Sequence, residues 1–168
     1  MDNVTHRGPN VSGLAHTDAD LRWLREAVEL SRFSPPSDAA FSVGAVLVSG
    51  GQVIATGFSR ERDPHDHAEE VALAKAAETG RGLAEATMYS SLEPCRRRLS
   101  RPRSCSELIL AAGIRRVVLA WLEPPLFVPG GGARWLREQG VTVVEMPELA
   151  EAARQANAHL LPDQRRLS

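Results

Sequence analysis

The chain has 168 residues, only two of them cysteine, a formal net charge of −1 and 43% apolar residues. That length suits one compact domain with short tails. No run approaches the roughly eighteen apolar residues of a membrane span, the near-neutral charge offers nucleic acid no basic field, and residues 1–17 lack the apolar stretch of a secretory signal. These features point to a cytoplasmic protein, in which a cysteine pair serves a metal or a reaction more readily than a disulfide.

Residues 1–17 mix Gly, Pro, Asn, Thr and His without period and read as a mobile arm. An Asp18 or Asp20 cap predicts a helix to about Arg32, with Leu21, Leu24, Val28 and Leu30 as its apolar stripe, ended by Ser34-Pro35-Pro36-Ser37. Val43–Val48 reads as a buried strand, Gly50-Gly51 as a hairpin turn and Gln52–Gly57 as the return strand. After a polar loop, His67–Thr79 reads as a helix stopped by Gly80, Thr87–Leu92 as a strand, and Pro94 as the opening of another helical segment. Arg96–Ser104 is a basic, irregular loop, Cys105–Ala112 a helix stopped by Gly113, and Arg115–Trp121 a strand. A loop over Leu122–Gly132, a helix over Ala133–Gln139, a strand over Val141–Met146 and a last helix over Pro147–Leu161 complete the order. Strands separated by helices favour parallel neighbours, because a crossover helix returns the chain to the end it left. The expected fold is α/β, a three-layer α-β-α sandwich around a five-strand mixed sheet. It forms one domain over 18–162, with the arm before it and a tail at 163–168.

The residues that carry chemistry are His67-Ala68-Glu69 at one helix start, Pro94-Cys95, and Cys105 at the next helix start. A catalytic zinc takes three protein ligands and keeps one position open for water. One imidazole and two thiolates supply that set and balance the dication. Glu69 lies two residues past His67, roughly 200° around a helix. It therefore need not ligate, and from the helix mouth it can take a proton from the water and hand it to a departing amine. His-x-Glu followed by Pro-Cys and a second Cys is the ordered signature of zinc deaminases. His-Ala-Glu alone recurs by chance, and two cysteines alone say little; the ordered set is what carries weight. A structural zinc would want a fourth Cys or His. The remaining candidate, His65, is poorly spaced for it and reads as a loop or supporting residue. His6, His16 and His159 read as solvated, and Glu70 as an exposed helix charge.

At these residues the chain resembles the cytidine deaminase-like superfamily over about residues 20–162, and most of all the pyrimidine deaminase domain of riboflavin biosynthesis. The resemblance is carried by Val43-Gly-Ala-Val-Leu-Val48, His67-Ala-Glu69, Leu92-Glu-Pro-Cys95 and Cys105-Ser-Glu-Leu-Ile-Leu-Ala-Ala-Gly-Ile-Arg-Arg-Val-Val118. The wide gap between the cysteines is the feature most like that family. Asp63-Pro64 is also similar to the transfer-RNA enzymes. The resemblance implies a cytidine deaminase-like fold, Zn2+ on His67, Cys95 and Cys105, Glu69 as proton shuttle, a ribosylaminopyrimidine phosphate as substrate, and an oligomer. Several positions depart from the family's pattern. Nine residues separate the cysteines, one more than usual there, and the intervening loop is Arg-rich. Ala40-Phe41 replaces an Asn-Pro, Ser59 stands where a His or Asn is usual, and Glu123-Pro124-Pro125 replaces an Asp-Pro-Asn. Phe41, Ser59 and Glu123 are thereby candidate substrate contacts. A fused reductase domain is not expected within this length.

Arg96, Arg97, Arg98, Arg101 and Arg103 lie between the cysteines. They read either as a solvated charge run or as a phosphate reader, with Arg97 and Arg101 the candidates, because guanidinium groups bind phosphate through paired donors. Sparse aromatics argue against a nucleic-acid partner. Leu126, Phe127 and Val128 follow Trp121 in a loop, and either fold back over the core or mark an interface between subunits. A small-molecule deaminase of riboflavin-pathway type is the leading function. A deaminase of another base, nucleoside or nucleotide, a nucleic-acid editor or binding module, and an inactive zinc scaffold are the competitors. Intact Glu69 argues against the last.

Overall fold

The computed structural model describes residues 16–162. The first helix, α1, spans Asp18–Ser31. Its cap is Thr17, not Asp18 or Asp20: the Thr17 hydroxyl accepts the Asp20 N–H at 3.2 Å, and the Asp20 carboxylate accepts the Thr17 N–H at 2.9 Å. Asp20 thus sits at the third helical position of a capping box, and Thr17 belongs to the domain rather than to the arm. Residues 1–15 and 163–168 lie outside the described residues.

Strands β1 (Gly44–Ser49) and β2 (Gln52–Phe58) form the expected hairpin. Helix α2 (Ala68–Glu78), strand β3 (Thr87–Ser90), helix α3 (Cys105–Ala111), strand β4 (Arg116–Leu119), helix α4 (Gly132–Glu138) and strand β5 (Thr142–Glu145) follow. The sheet order is β2-β1-β3-β4-β5. Strands β3, β4 and β5 are parallel, whereas β1 runs antiparallel to both β2 and β3. The crossover through α2 does return β3 in the direction of β2, but β1 lies between them and makes the sheet mixed.

Pleat parity sets the layers. Gly44 faces Phe58 in register and Ala45 faces Gly57, so Gly44 and Gly57 point to opposite faces. Helix α1 packs on one face with the C-terminal helix α5 (Ala150–Gln155), and α2, α3 and α4 pack on the other. At Gly57 a Cβ would come within 2.3 Å of the Ala68 carbonyl. Only glycine lets the start of α2 lie directly on β2, and that start carries His67. The α1 face is held by a buried polar junction. Asp20 accepts both Arg116 Nη1 at 2.7 Å and Nη2 at 2.8 Å, and the Tyr89 hydroxyl donates to it at 2.7 Å. Burial opposes ionisation of Asp20, but these donors win and hold its carboxyl well below the usual range.

Two expected helices differ. Pro94 opens none, and residues 91–104 are irregular. The last helix is broken into a 3₁₀ turn at Pro147–Leu149, α5, and a second 3₁₀ turn at Ala158–Leu160. Asn157 explains the second break. Its buried amide accepts the Ser42 N–H at 2.7 Å and donates to the Ser42 carbonyl at 3.0 Å, drawing the chain out of helical geometry to pin the lead-in to β1. No described helix is long and apolar enough to cross a membrane.

Candidate active site

The sheet register gathers one end of four segments. The residues just before β1, just after β2, just after β3 and just after β4 meet there, because β1 runs opposite to the other three strands. Helices α2, α3 and α4 begin at the same end. A cavity of about 390 Å³ opens at this edge, lined among others by Phe41, Ser59, Glu69, Cys95, Arg97 and Glu123. Its size suits a small molecule, and its position at the C-terminal ends of β3 and β4 is where open α/β sheets bind ligands.

His67 is the N-cap of α2, with an extended backbone (φ −95°, ψ 151°). Its Nδ1 lies 3.6 Å from Cys95 Sγ and 3.5 Å from Cys105 Sγ. The three ligand atoms all fall within 4.8 Å of one another, and both thiols are free. A tetrahedral centre with bonds of about 2.0–2.1 Å to nitrogen and about 2.3 Å to sulfur separates those ligands by about 3.5 Å. The donor set therefore fits zinc in chemistry and in spacing. Cys105 is the first residue of α3, capped by Ser104, and its N–H donates to Cys95 Sγ at 3.3 Å. This helix-start donor reaches Cys95 even though Cys95 begins no helix of its own. The close Cys105 thiol, aided by His67, holds the Cys95 thiol below its usual range, while the same contact and complete burial push Cys105 up.

Glu69 lies outside this set. It is 3% exposed, lines the cavity, and has the Ser90 hydroxyl 2.8 Å from Oε1. Burial raises its pKa, with the neighbouring Cys95 charge adding to the effect. Phe41, Ser59, Arg97 and Glu123 line the same cavity, as the sequence suggests. Phe41 makes edge contacts with Trp121 and Phe127. The Ser59 hydroxyl accepts the Val43 N–H at 2.9 Å and so also closes the end of the hairpin. Glu123 Oε2 is buried without a hydrogen-bond partner among the described residues, and burial pushes the carboxyl up to about 8.

Arg101 is not brought to the cavity wall. It faces Asp63, Asp66 and Glu70 at 3.3–3.5 Å. Arg96 pairs with Glu107 and covers Trp135, while Arg98 pairs with Glu70. Glu70 is accordingly not an exposed helix charge: its side chain is 18% exposed and shared between two arginines. His65 is a loop residue at the cavity, its carbonyl accepting Arg98 at 2.7 Å. His16 and His159 have partners, Glu148 and the Ser37 carbonyl; His6 lies outside the described residues.

Sequence reading missed three supports. Glu93, in the Glu-Pro-Cys run, is buried and accepts the N–H groups of Gly131 at 2.7 Å and Gly132 at 2.9 Å. It draws α4 against the Cys95 segment so closely that a Cβ on Gly132 would sit 1.8 Å from the Pro94 carbonyl. Arg60, with a left-handed φ of 58°, donates to the Pro35 and Phe41 carbonyls and so holds the Phe41 segment. Phe127 completes the aromatic side of the cavity. The Gly130-Gly131-Gly132 run was the visible signal for the first, nothing local marked Arg60, and Phe127 was visible only as part of an apolar loop that either folds back over the core or marks an interface.

The sequence model of the family described as "cytidine and deoxycytidylate deaminase zinc-binding region" matches residues 17–121. The chain belongs to this family. A diaminohydroxyphosphoribosylamino-pyrimidine deaminase of Schizosaccharomyces pombe is 42% identical over 132 residues, 77% of this chain and 32% of that protein. One of Buchnera aphidicola is 33% identical over 125 residues, 74% of this chain and 82% of the relative. The solved diaminohydroxyphosphoribosylaminopyrimidine deaminase/5-amino-6-(5-phosphoribosylamino)uracil reductase of Thermotoga maritima superposes with a TM-score of 0.69 at 31% identity, over 82% of this chain and 39% of that one. The cytidine deaminase-like fold that the resemblance implies is confirmed. The chain spans about a third of the length of the first curated relatives it matches, 32% and 38%.

Proposed function

We propose that the chain is a zinc-dependent hydrolytic deaminase of a riboflavin-pathway aminopyrimidine, with His67, Cys95 and Cys105 as ligands and Glu69 as proton shuttle. The observation that carries this reading is the spacing of the three ligand atoms beside a cavity that His67, Cys95 and Glu69 line. When bound, zinc supplies the Lewis acidity that makes water nucleophilic near neutral pH. Glu69 takes the proton of the attacking water and returns it to the departing amine as ammonia. Ser90 orients the Glu69 carboxyl from the floor. Phe41 and Phe127 offer the ring an apolar wall, and Glu123 faces it with a carboxyl oxygen that finds no hydrogen-bond partner among the described residues.

Of the loop arginines, Arg97 is the one that lines the cavity without an ion pair among the described residues, so we assign it, rather than Arg101, to a substrate phosphate. The departures at Ala40-Phe41 and Glu123-Pro124-Pro125 favour a second reading, in which the same chemistry acts on another aminopyrimidine or nucleoside. Two thiols serving as ligands suit a reducing, cytoplasmic setting, and Leu122 and Leu126, both close to half exposed after β4, suit a homodimer or larger. The test is ammonia release from the diaminohydroxyphosphoribosylaminopyrimidine, its unphosphorylated form, cytidine and deoxycytidylate. The proposal expects the first to be preferred. Equal rates for the first two substrates would remove the phosphate assignment, and no release from any by zinc-loaded protein would remove the function.

A further inference from the structure

We infer that Glu70 is a positioning residue for the metal set, clamping the loop between the cysteines onto the start of α2. This rests on the reading of His67, Cys95 and Cys105 as zinc ligands. The three ligands come from two separate segments, the start of α2 and the two ends of the 96–104 loop. Their spacing therefore depends on how that loop lies against residues 63–70.

One carboxylate joins the two segments. Glu70 Oε1 accepts the backbone N–H of His67 at 3.4 Å, at the residue that supplies the imidazole. The same carboxylate takes Arg98 in a fork, Nη1 to Oε2 at 3.1 Å and Nη2 to Oε1 at 3.4 Å. Arg101 Nε lies 3.5 Å from Oε2. Arg98 also donates to the His65 carbonyl at 2.7 Å, and its side chain is only 3% exposed. Arg101 reaches on to Asp63 at 3.3 Å and Asp66 at 3.5 Å. A buried fork of this kind is directional, since a planar guanidinium meets a carboxylate in one plane. Groups that hold metal ligands in place commonly govern affinity about as strongly as a weak ligand does. The arrangement also explains why a loop with five arginines presents only one of them freely to the cavity: the acids of the 63–70 segment occupy the others that face it.

The test is zinc release from the loaded 168-residue chain into excess chromogenic chelator. Glu70→Ala should release zinc about 10- to 100-fold faster than the unmodified chain. Glu70→Gln keeps an acceptor for the His67 N–H but loses the charge, and should fall between; it also carries the test if the alanine variant does not fold. Arg98→Lys, which cannot fork, should release faster too. Glu78→Ala, an exposed acid at the far end of α2, should leave release unchanged. Asp20→Asn, which weakens the opposite face, should lower Tm without hastening release. The inference is overturned if Glu70→Ala and Glu70→Gln release zinc at the rate of the unmodified chain, or if Asp20→Asn hastens release as much at an equal loss of Tm. Zinc-free unmodified protein would instead remove the ligand reading itself, and this inference with it.

Discussion

Along the wall formed by the starts of α2 and α3, Cys95, Cys105 and Glu69 are buried, His67 is half-buried, and each touches another functional or supporting side chain: His67 meets both cysteines, and Glu69 meets Ser90. Across the cavity, Arg97 and Phe127 come from irregular segments and keep surface open to solvent, and Glu123 keeps an unpartnered oxygen. Leu99, at the rim between the two, is 99% exposed. The first wall is fixed by helix starts resting on strands and by one loop clamped against them. The second is written in the loops, and it is there that the chain departs from its family's pattern. Chemistry and selectivity are thus carried by different kinds of structure, and substitutions should separate them.

The largest effects belong to the metal wall. Elemental analysis should find about one zinc per chain, and chelation should abolish turnover and lower Tm, because a metal bound only by the native state adds its binding free energy to folding. Metal-free protein with full activity would end the comparison. Next comes Glu69→Gln. The amide is nearly the same shape and cannot accept the proton, so turnover should fall about 10²- to 10⁴-fold with zinc and Tm retained. Loss of zinc in this variant would make Glu69 a ligand rather than a shuttle.

The metal wall was legible in the sequence because His67, Glu69 and Cys105 lie at helix starts that local signals mark, while Cys95, in an irregular segment, was legible through its place in the ordered His-x-Glu, Pro-Cys, Cys set. His67 precedes an Ala-rich helical run, and Ser104 with Glu107 forms a capping box around Cys105. The loop wall was only half legible. Arg97 and Arg101 look alike in sequence, and what separates them is a set of acids from another segment, with Asp63 lying 38 positions before Arg101. Glu70 read as solvated because its helix alone places it outward; the loop that covers it arrives from 28 residues away. The broken C-terminal helix failed for the same reason, since Asn157 answers to Ser42, 115 residues distant. Pairings made by tertiary approach leave no periodicity behind.

Arg97 and Arg101 give a middle-sized test within the loop itself. Arg97→Ala should raise KM for a phosphorylated substrate about tenfold, the loss of one exposed charge-assisted contact, and move kcat little. Added salt should reduce the difference between the two proteins, because exposed ionic contacts are screened. Arg101→Ala should hasten zinc release rather than discriminate between phosphorylated and unphosphorylated substrate. The opposite pattern would move the phosphate contact to Arg101 and take that residue out of the clamp.

The smallest effect should come from Phe127→Ala. Its ring stands edge-on to Phe41 with centroids 5.1 Å apart, but it is 42% exposed, whereas Phe41 is buried against Trp121. An aromatic edge pair contributes about 0.5–1.5 kcal/mol beyond its buried area, which corresponds to a rise in KM of about two- to tenfold if the pair forms the wall against which the substrate ring lies. Because that wall touches the ring and not the phosphate, phosphorylated and unphosphorylated substrates should suffer alike, in contrast to Arg97→Ala. Zinc content should stay unchanged, since Phe127 supplies no ligand and lies outside the metal set. The loop that carries Phe127 also exposes Leu122 and Leu126, so light scattering belongs beside the kinetics. A substitution that leaves KM unchanged but converts an oligomer to a monomer would show that residues 122–128 face another subunit, and the second wall of the cavity would then rest on Phe41, Arg97 and Glu123 alone.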